Sequence, residues 1–267
     1  MNTGAAHVSP RQSALVTGST SGIGLAIARG FAASGCSLVI TGLGDPTQNH
    51  ALARDLAGQH GIQAAYVPAN AASPVEIRGL VAASNARFGA IDILVNNAGI
   101  QHVAPVDEFP DEQWDRVLAI NLSAAFHATK AILPSMKVKH WGRVINIASV
   151  HGLVASVGKA AYVAAKHGLV GLTKVIALEN AQLGITANAI CPGWVRTPLV
   201  DQQVQARAAH TGRTLADEEK LLLGEKQPLQ AFTTPEQIAA LAVFLCGDGA
   251  STITGASLSI DGGWIAQ

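Results

Sequence analysis

The chain is expected to fold as a doubly wound α/β domain, a seven-stranded parallel sheet with helices on both faces. Three observations predict it. Short apolar runs alternate with amphipathic helical stretches along nearly all of the 267 residues. The apolar runs are continuous rather than alternating, as in strands covered on both faces. A glycine-rich segment stands at the first strand-to-helix junction, where open parallel sheets bind ligands. Hydrophobic residues make up 49% of the chain and charged residues 13%, enough to build one large core.

Ser13–Val16 reads as the first strand. Ile23–Ala33 follows as a helix, with Ile23, Ile27 and Phe31 at four-residue steps. Ser37–Ile40 is the second strand, Asn49–Gln59 a helix and Ala64–Val67 the third strand. Pro74–Arg87 is helical, and Ile91–Val95 is strand four. Asp111–Met136 predicts a long helix that breaks at Pro134 near its end. Arg143–Ile147 is strand five, Lys159–Gln182 a second long helix and Ile185–Ile190 strand six. Thr233-Thr234-Pro235 opens a helix that reaches Cys246, and Ser257–Ile260 is strand seven. Right-handed crossovers wind this order into an open sheet.

No linker divides the chain, so residues 13–267 are expected to form one catalytic domain. The exception to strand-helix alternation is Asp201–Lys226, with nine of the 36 charged residues (18 basic, 18 acidic). It reads either as a helical lid, spanning about 198–228, or as an ordinary surface insertion. Residues 1–12 are polar, lack the apolar core of a signal peptide and are expected to be a flexible extension.

The formal net charge is zero, so no basic surplus points to nucleic acid or to an anionic membrane. No uninterrupted apolar stretch reaches the ~18 residues of a membrane span. Cys36, Cys191 and Cys246 are too far apart for a disulfide framework or a metal site. The nine histidines show no HExxH pattern, so no metal is expected. A cytoplasmic setting follows.

Thr17-Gly18-Ser19-Thr20-Ser21-Gly22-Ile23-Gly24 lies directly after the first strand and opens a helix. Glycines at this spacing let the backbone approach a ligand, and the helix N-terminus offers free N–H groups to a pyrophosphate. This is the junction of a Rossmann fold. Further along, Tyr162 and Lys166 stand four residues apart on one helix face. A cation beside a phenol favours the phenolate and is expected to draw the tyrosine pKa toward neutrality, as a general base for an alcohol requires. Tyr-x-x-x-Lys alone is a weak signal. Asn97–Gly99, Ser149, Pro192 and Gly193 all follow strands directly, so they converge on one sheet edge.

The spacing Gly-x3-Gly-x-Gly, Asn96-Asn97-Ala98-Gly99, Asn121, Ser149, Tyr162-x-x-x-Lys166 and Pro192-Gly193, in that order, resembles the short-chain dehydrogenase/reductase family over residues 13–265. The resemblance implies a homotetramer built through the two long helices. It also implies that Tyr162 exchanges a proton with the substrate hydroxyl. Ser149 would hold the substrate oxygen, Lys166 would bind nicotinamide ribose, and Asn121 would anchor a water in the relay. The dinucleotide is expected to touch Gly18, Thr20, Ser21, Gly22, Ile23, Gly24, Leu43, Asn70, Ala71, Asn97, Ala98 and Gly99. Tyr162, Lys166, Pro192, Gly193, Val195 and Thr197 complete that list. No basic residue lies in Ser19–Ser21 or after strand two to meet a 2′-phosphate, which favours NAD. The acid that often binds the ribose is also missing: Gly42 stands there, with Asp45 slightly late. Asn70 replaces an aspartate near the adenine.

Around the substrate the chain is similar to the branch of that family acting on D-3-hydroxybutyrate. The segments carrying the likeness are Asn97–His102, Ser149–Ser156, Cys191–Val200 and Asp261–Trp264. The likeness implies a small hydroxy or keto acid held by Gln101, His151, Lys159 and Gln203, with Trp194 and Trp264 around its methyl end and Ser149 and Tyr162 at the reacting oxygen. Two other readings are a family member acting on a different carbonyl, such as a 3-oxoacyl carrier-protein reductase, and a nucleotide-sensing protein without chemistry.

Overall fold

Ala14, Leu15 and Val16 have no exposed surface, nor do Leu38, Val39 and Ile40, so these strands are apolar on both sides. Their side chains alternate between two cores, as the two-residue period of a strand requires. Ala14, Val16, Leu38, Ile40, Ile93 and Val95 point to one core, and Leu15, Val39, Leu94 and Val144 to the other. The structure, a computed structural model, describes residues 12–266, so nearly all of the expected N-terminal extension lies outside the described residues.

The strands are β1 (Ser13–Val16), β2 (Ser37–Ile40), β3 (Ala64–Tyr66), β4 (Ile93–Asn96), β5 (Gly142–Ile147), β6 (Ile185–Pro192) and β7 (Ser257–Ile260). All pair in parallel in the order β3-β2-β1-β4-β5-β6-β7. The order reverses between β1 and β4. Chain connections leave that point in opposite directions, and a crevice opens there at the carboxyl ends.

One face is covered by α1 (Gly22–Ala33), α2 (Pro46–His60) and α9 (Pro235–Cys246), through Ile27, Phe31, Leu56, Ile238 and Leu245. The other is covered by α3 (Pro74–Phe88), α5 (Ala124–Lys139) and α6 (Ala160–Asn180), through Ile77, Leu80, Ile132, Met136 and Ile176. Burying each large apolar side chain contributes about 1.5–3 kcal/mol. Asp45 begins α2 earlier than expected: its carboxylate accepts the Thr47 amide (2.8 Å) and Pro46 fills the first turn. The charged segment folds as two helices, α7 (Pro198–Thr211) and α8 (Leu215–Gly224).

The expected helix over 111–136 differs in two ways. It does not break at Pro134, because Ile132 and Met136 on either side are fully buried and α5 runs on to Lys139. It is instead interrupted by a π-turn at Ala119–Ser123, which separates α5 from α4 (Asp111–Leu118). The turn carries Asn121, whose amide pairs with both main-chain groups of Ile100. Its Oδ1 accepts the Ile100 N–H (2.8 Å) and its Nδ2 donates to the Ile100 carbonyl (2.7 Å). Such insertions in a helical ladder gather at functional sites.

Thr234 and Gln237 form a reciprocal capping box at the start of α9. Thr234→Ala is expected to cost about 1 kcal/mol and to lower Tm by about 3 °C. An unchanged Tm in thermal unfolding would show that the box adds nothing to α9.

Candidate active site

β1 ends in a loop that is tied in place before any ligand arrives. The buried Ser19 hydroxyl donates to the Val16 carbonyl (2.7 Å) and accepts the Thr41 amide (3.0 Å). Thr17 Oγ1 accepts the amides of Asn97 (2.9 Å) and Ala98 (3.1 Å). Asn97 Nδ2 returns two bonds, to the carbonyls of Thr17 (2.9 Å) and Gly18 (3.0 Å). The loops after β1 and β4 are thereby tied to each other.

Gly24 has no room for a side chain: a Cβ would lie 2.2 Å from the Gly18 carbonyl oxygen. Gly18 and Gly22 turn through positive φ (62° and 54°), a region that favours glycine. Ser21 caps α1 with its main chain only, which leaves the first amides of the helix directed outward. This cradle fits the pyrophosphate of a dinucleotide.

A cleft of about 530 Å³ runs from this loop across the carboxyl ends of β4, β5 and β6. Every site residue expected from the sequence lines it except Asn121, whose neighbour Ile120 does. Thr20, Gly42 and Leu43 form one end, and Asn70 and Ala71 the adjoining wall. Gln101, Ser149, His151, Lys159, Trp194, Gln203 and Trp264 form the other end. No Asp or Glu lies among the described lining residues, whereas Lys159 and Lys166 both do. Neither lysine forms an ion pair among the described residues.

Tyr162 and Lys166 lie on α6, with the ammonium 5.5 Å from the centre of the phenol ring. Lys166 is buried and donates to the Ile147 carbonyl (2.7 Å). Burial pulls its pKa down to about 8. Burial also pushes the Tyr162 phenol above its ordinary value, and a hydrogen bond with Ser149 pulls it partway back. Burial thus outweighs the expected fall toward neutrality. Desolvation exceeds the pull of an ammonium that is turned to a carbonyl.

Ser149 begins a short turn over Val150–Gly152, and its Oγ accepts the His151 amide (3.1 Å). The His151 ring is buried and meets Tyr162 and Trp264 in T-shaped contacts, at 5.9 and 5.5 Å between centres. Lys159 caps α6 just ahead of Tyr162, with its ammonium 5.4 Å from the Trp194 ring centre. Trp194 and Trp264 stand 5.9 Å apart.

Two candidate ligands are partly engaged elsewhere. Asp45 caps α2 and does not line the cleft, so it does not replace the missing ribose acid. Asn70 Oδ1 already accepts the Ala72 amide (2.9 Å). Three contributors were not foreseen from the sequence. Thr17 reads there only as part of the loop. Ser156 hydrogen-bonds His151, yet its position carries no periodic signal. The fully buried Gln227 accepts the Trp194 amide and donates to Ala231 (2.8 Å), which ties the segment after α8 to the substrate end of the cleft.

A parallel sheet with this strand order, a glycine cradle and Ser149, Tyr162 and Lys166 on one cleft define a nicotinamide-dependent oxidoreductase. Residues 18–265 match a family model described as enoyl-(acyl carrier protein) reductase, and the chain belongs to the short-chain dehydrogenase/reductase family. A D-beta-hydroxybutyrate dehydrogenase of Cupriavidus necator is 54% identical over 256 residues, covering 96% of this chain and 98% of that protein. Its counterpart in Rhizobium meliloti is 50% identical, covering 96% and 99%. The solved L-sorbose reductase of Gluconobacter frateurii, complexed with NADPH and L-sorbose, superposes with a TM-score of 0.92. It is 30% identical, covering 96% of this chain and 97% of that one.

Alkaline difference spectroscopy of the cofactor-free protein is expected to show no ionisation of Tyr162 near neutrality. The Tyr162→Phe variant is expected to lose a transition that lies above the ordinary value of about 10. A Tyr162 transition near pH 7 would contradict the burial argument.

Proposed function

We propose that this oxidoreductase interconverts D-3-hydroxybutyrate and acetoacetate with NAD. The observation that carries the reading is the charge of the cleft. It holds two ammonium groups, and no carboxylate among the described lining residues answers them. Burial lowers the Lys159 pKa, so the cation there is costly until an anion arrives. The likeness to two D-beta-hydroxybutyrate dehydrogenases supports the same substrate.

The substrate carboxylate is held by Lys159, with Gln101 and Gln203 as further donors. His151 stands behind that group, its ring nitrogens facing Ser149 and Ser156. Trp194 and Trp264 shut water from the methyl end. The substrate oxygen then lies between Ser149, which donates to it, and Tyr162, which takes its proton during oxidation and returns it during reduction. A bound nicotinamide supplies the hydride chemistry. Lys166 holds the ribose and offers positive charge to the forming phenolate. Asn121 acts through the π-turn. An i→i+5 turn carries one residue more than the regular ladder pairs, so a main-chain carbonyl is released to hold a water of the relay. α7 and α8, which bring Gln203 to the cleft, serve as its lid over about 198–228.

NAD is favoured because the wall after β2 is Thr41, Gly42 and Leu43, with no basic residue to meet a 2′-phosphate. Thr20 fills the remaining space: a Cβ on Gly42 would fall 2.5 Å from its hydroxyl. Homotetramers form through the outer faces of α5 and α6. Phe126, Val175 and Leu178 are exposed there. The stretches Asp111–Lys139 and Ala160–Leu183 are long and apolar enough to cross a membrane by composition, but their inner faces cover the sheet. Other copies of the chain, rather than lipid, cover the outer ones.

Tyr162→Phe is expected to lower kcat by roughly a thousandfold while the affinity for NAD is kept; near-normal turnover would remove Tyr162 from proton transfer. Lys159→Ala should raise KM for D-3-hydroxybutyrate far more than it alters NAD affinity, and an unchanged KM would refute the carboxylate role. Comparable kcat/KM values with NAD and NADP would overturn the cofactor preference.

A further inference from the structure

Gln227 has no exposed surface, and its side-chain amide is engaged at both ends. Oε1 accepts the Trp194 main-chain amide, and Nε2 donates to the Ala231 carbonyl (2.8 Å). We propose that Gln227 is a positioning residue: it sets the gap between Trp194 and Trp264 and thereby limits the length of the hydroxy acid that the cleft accepts.

The partners fix the direction of both bonds. A main-chain N–H can only donate and a main-chain carbonyl can only accept, so the Gln227 amide has one orientation. Three stretches of chain meet at it. Gln227 follows α8, and its own N–H reaches back to the Leu223 carbonyl (2.7 Å). Gly193 and Trp194 come from the end of β6, and Asp261–Trp264 from the end of β7. A Cβ on Gly193 would fall 2.6 Å from Gln227 Oε1, and one on Gly262 would fall 2.9 Å from Nε2. Each segment thus closes on the amide at a residue with no side chain.

The segment that carries Gln227 grips both stretches a second time. The Thr233 N–H donates to the Trp194 carbonyl (2.9 Å), and the Leu229 N–H donates to the Gly262 carbonyl (3.0 Å). The Asp261 carboxylate accepts the amides of Gly263 and Ile265 (both 3.0 Å), which holds the turn that carries Trp264. The indole N–H of Trp194 is buried with no hydrogen-bond partner among the described residues. Its ring is therefore placed by its main chain and by packing against Val200, Val204 and Leu222 of the lid helices. The main-chain N–H is the group that Gln227 holds.

Gln227 itself does not line the cleft, so it reaches a ligand only through the residues it holds. Both tryptophan rings do line the substrate end, 5.9 Å apart. With the methyl end of the acid against them, their separation decides whether a further methylene fits. One methylene in an apolar pocket changes kcat/KM by roughly 10–200-fold. This limit on length rests on the substrate proposed above; the tie between the two tryptophan segments does not.

The test uses protein labelled with nitrogen-15 at its four tryptophans. The signals of Trp194 and Trp264 are assigned by their loss in Trp194→Phe and Trp264→Phe. In the wild type the Trp194 main-chain amide is expected to exchange slowly with deuterium. Gln227→Met, similar in length but without an amide, should shift that signal, speed its exchange and move the Trp264 indole signal as well. In the same variant the kcat/KM preference for D-3-hydroxybutyrate over D-3-hydroxypentanoate should narrow by about tenfold, with NAD affinity unchanged. Gln227→Asn, whose shorter side chain cannot span Trp194 and Ala231, should do the same and carries the test if the methionine variant does not fold. Rapid exchange of the wild-type Trp194 amide would overturn the proposal. So would a Trp264 indole signal that stays in place, or kcat/KM values for the two acids that fall by the same factor. A wild-type enzyme inactive on both acids, with the Trp194 and Trp264 signals moving together in the variant, would refute the substrate and leave the positioning role standing.

Discussion

The clasp between Thr17 and Asn97 is the constraint on which the rest depends. In a doubly wound sheet the connections part at the reversal of strand order, so the loops above the paired strands β1 and β4 need ties of their own. Here the Thr17 hydroxyl accepts two amides and the Asn97 amide serves two carbonyls, all within 3.1 Å. The Gly18 carbonyl held by Asn97 is also the atom that leaves Gly24 no room for a side chain. One group of hydrogen bonds thus sets the loop and the start of α1, and carries the pairing of β1 with β4 past the ends of the strands.

At the other end of the cleft the governing quantity is desolvation. Lys166, Lys159, Tyr162 and His151 are all moved from their ordinary pKa values with burial as the leading cause. The cations are held below their usual range and the phenol above it. On the function proposed, a dinucleotide and a carboxylate would supply the negative charge that the lining lacks. The cost of desolvating the cations would then be offset on binding.

Most of the sheet was legible because parallel strands are written as uninterrupted apolar runs. β1, β2 and β7 match their expected limits to the residue. The site was legible at strand ends, since a loop directly after a strand has only one edge of the sheet to occupy. Three kinds of feature were hidden. The π-turn at Ala119–Ser123 depends on Asn121 meeting Ile100, a contact between segments that sequence period does not reveal. Pro134 reads as a breaker, yet the burial of Ile132 and Met136 outweighs one lost bond. The Tyr162 pKa was misjudged because spacing tells that Lys166 is near, but not that its ammonium is turned to Ile147. Ser156 and Gln227 act through single long-range or irregular contacts and leave no pattern.

The charges of α7 and α8 are largely settled between themselves. Glu218 has no exposed surface and meets Arg207 (3.1 Å), Arg213 (3.3 Å) and Thr211 (2.6 Å), while Arg207 also reaches Glu225. Arg196, at the root of the pair, binds Asp201 and Glu219. A segment whose polar needs are met internally makes few demands on the sheet beneath it. The face that Gln203 presents to the cleft can therefore change by substitution without rebuilding the scaffold.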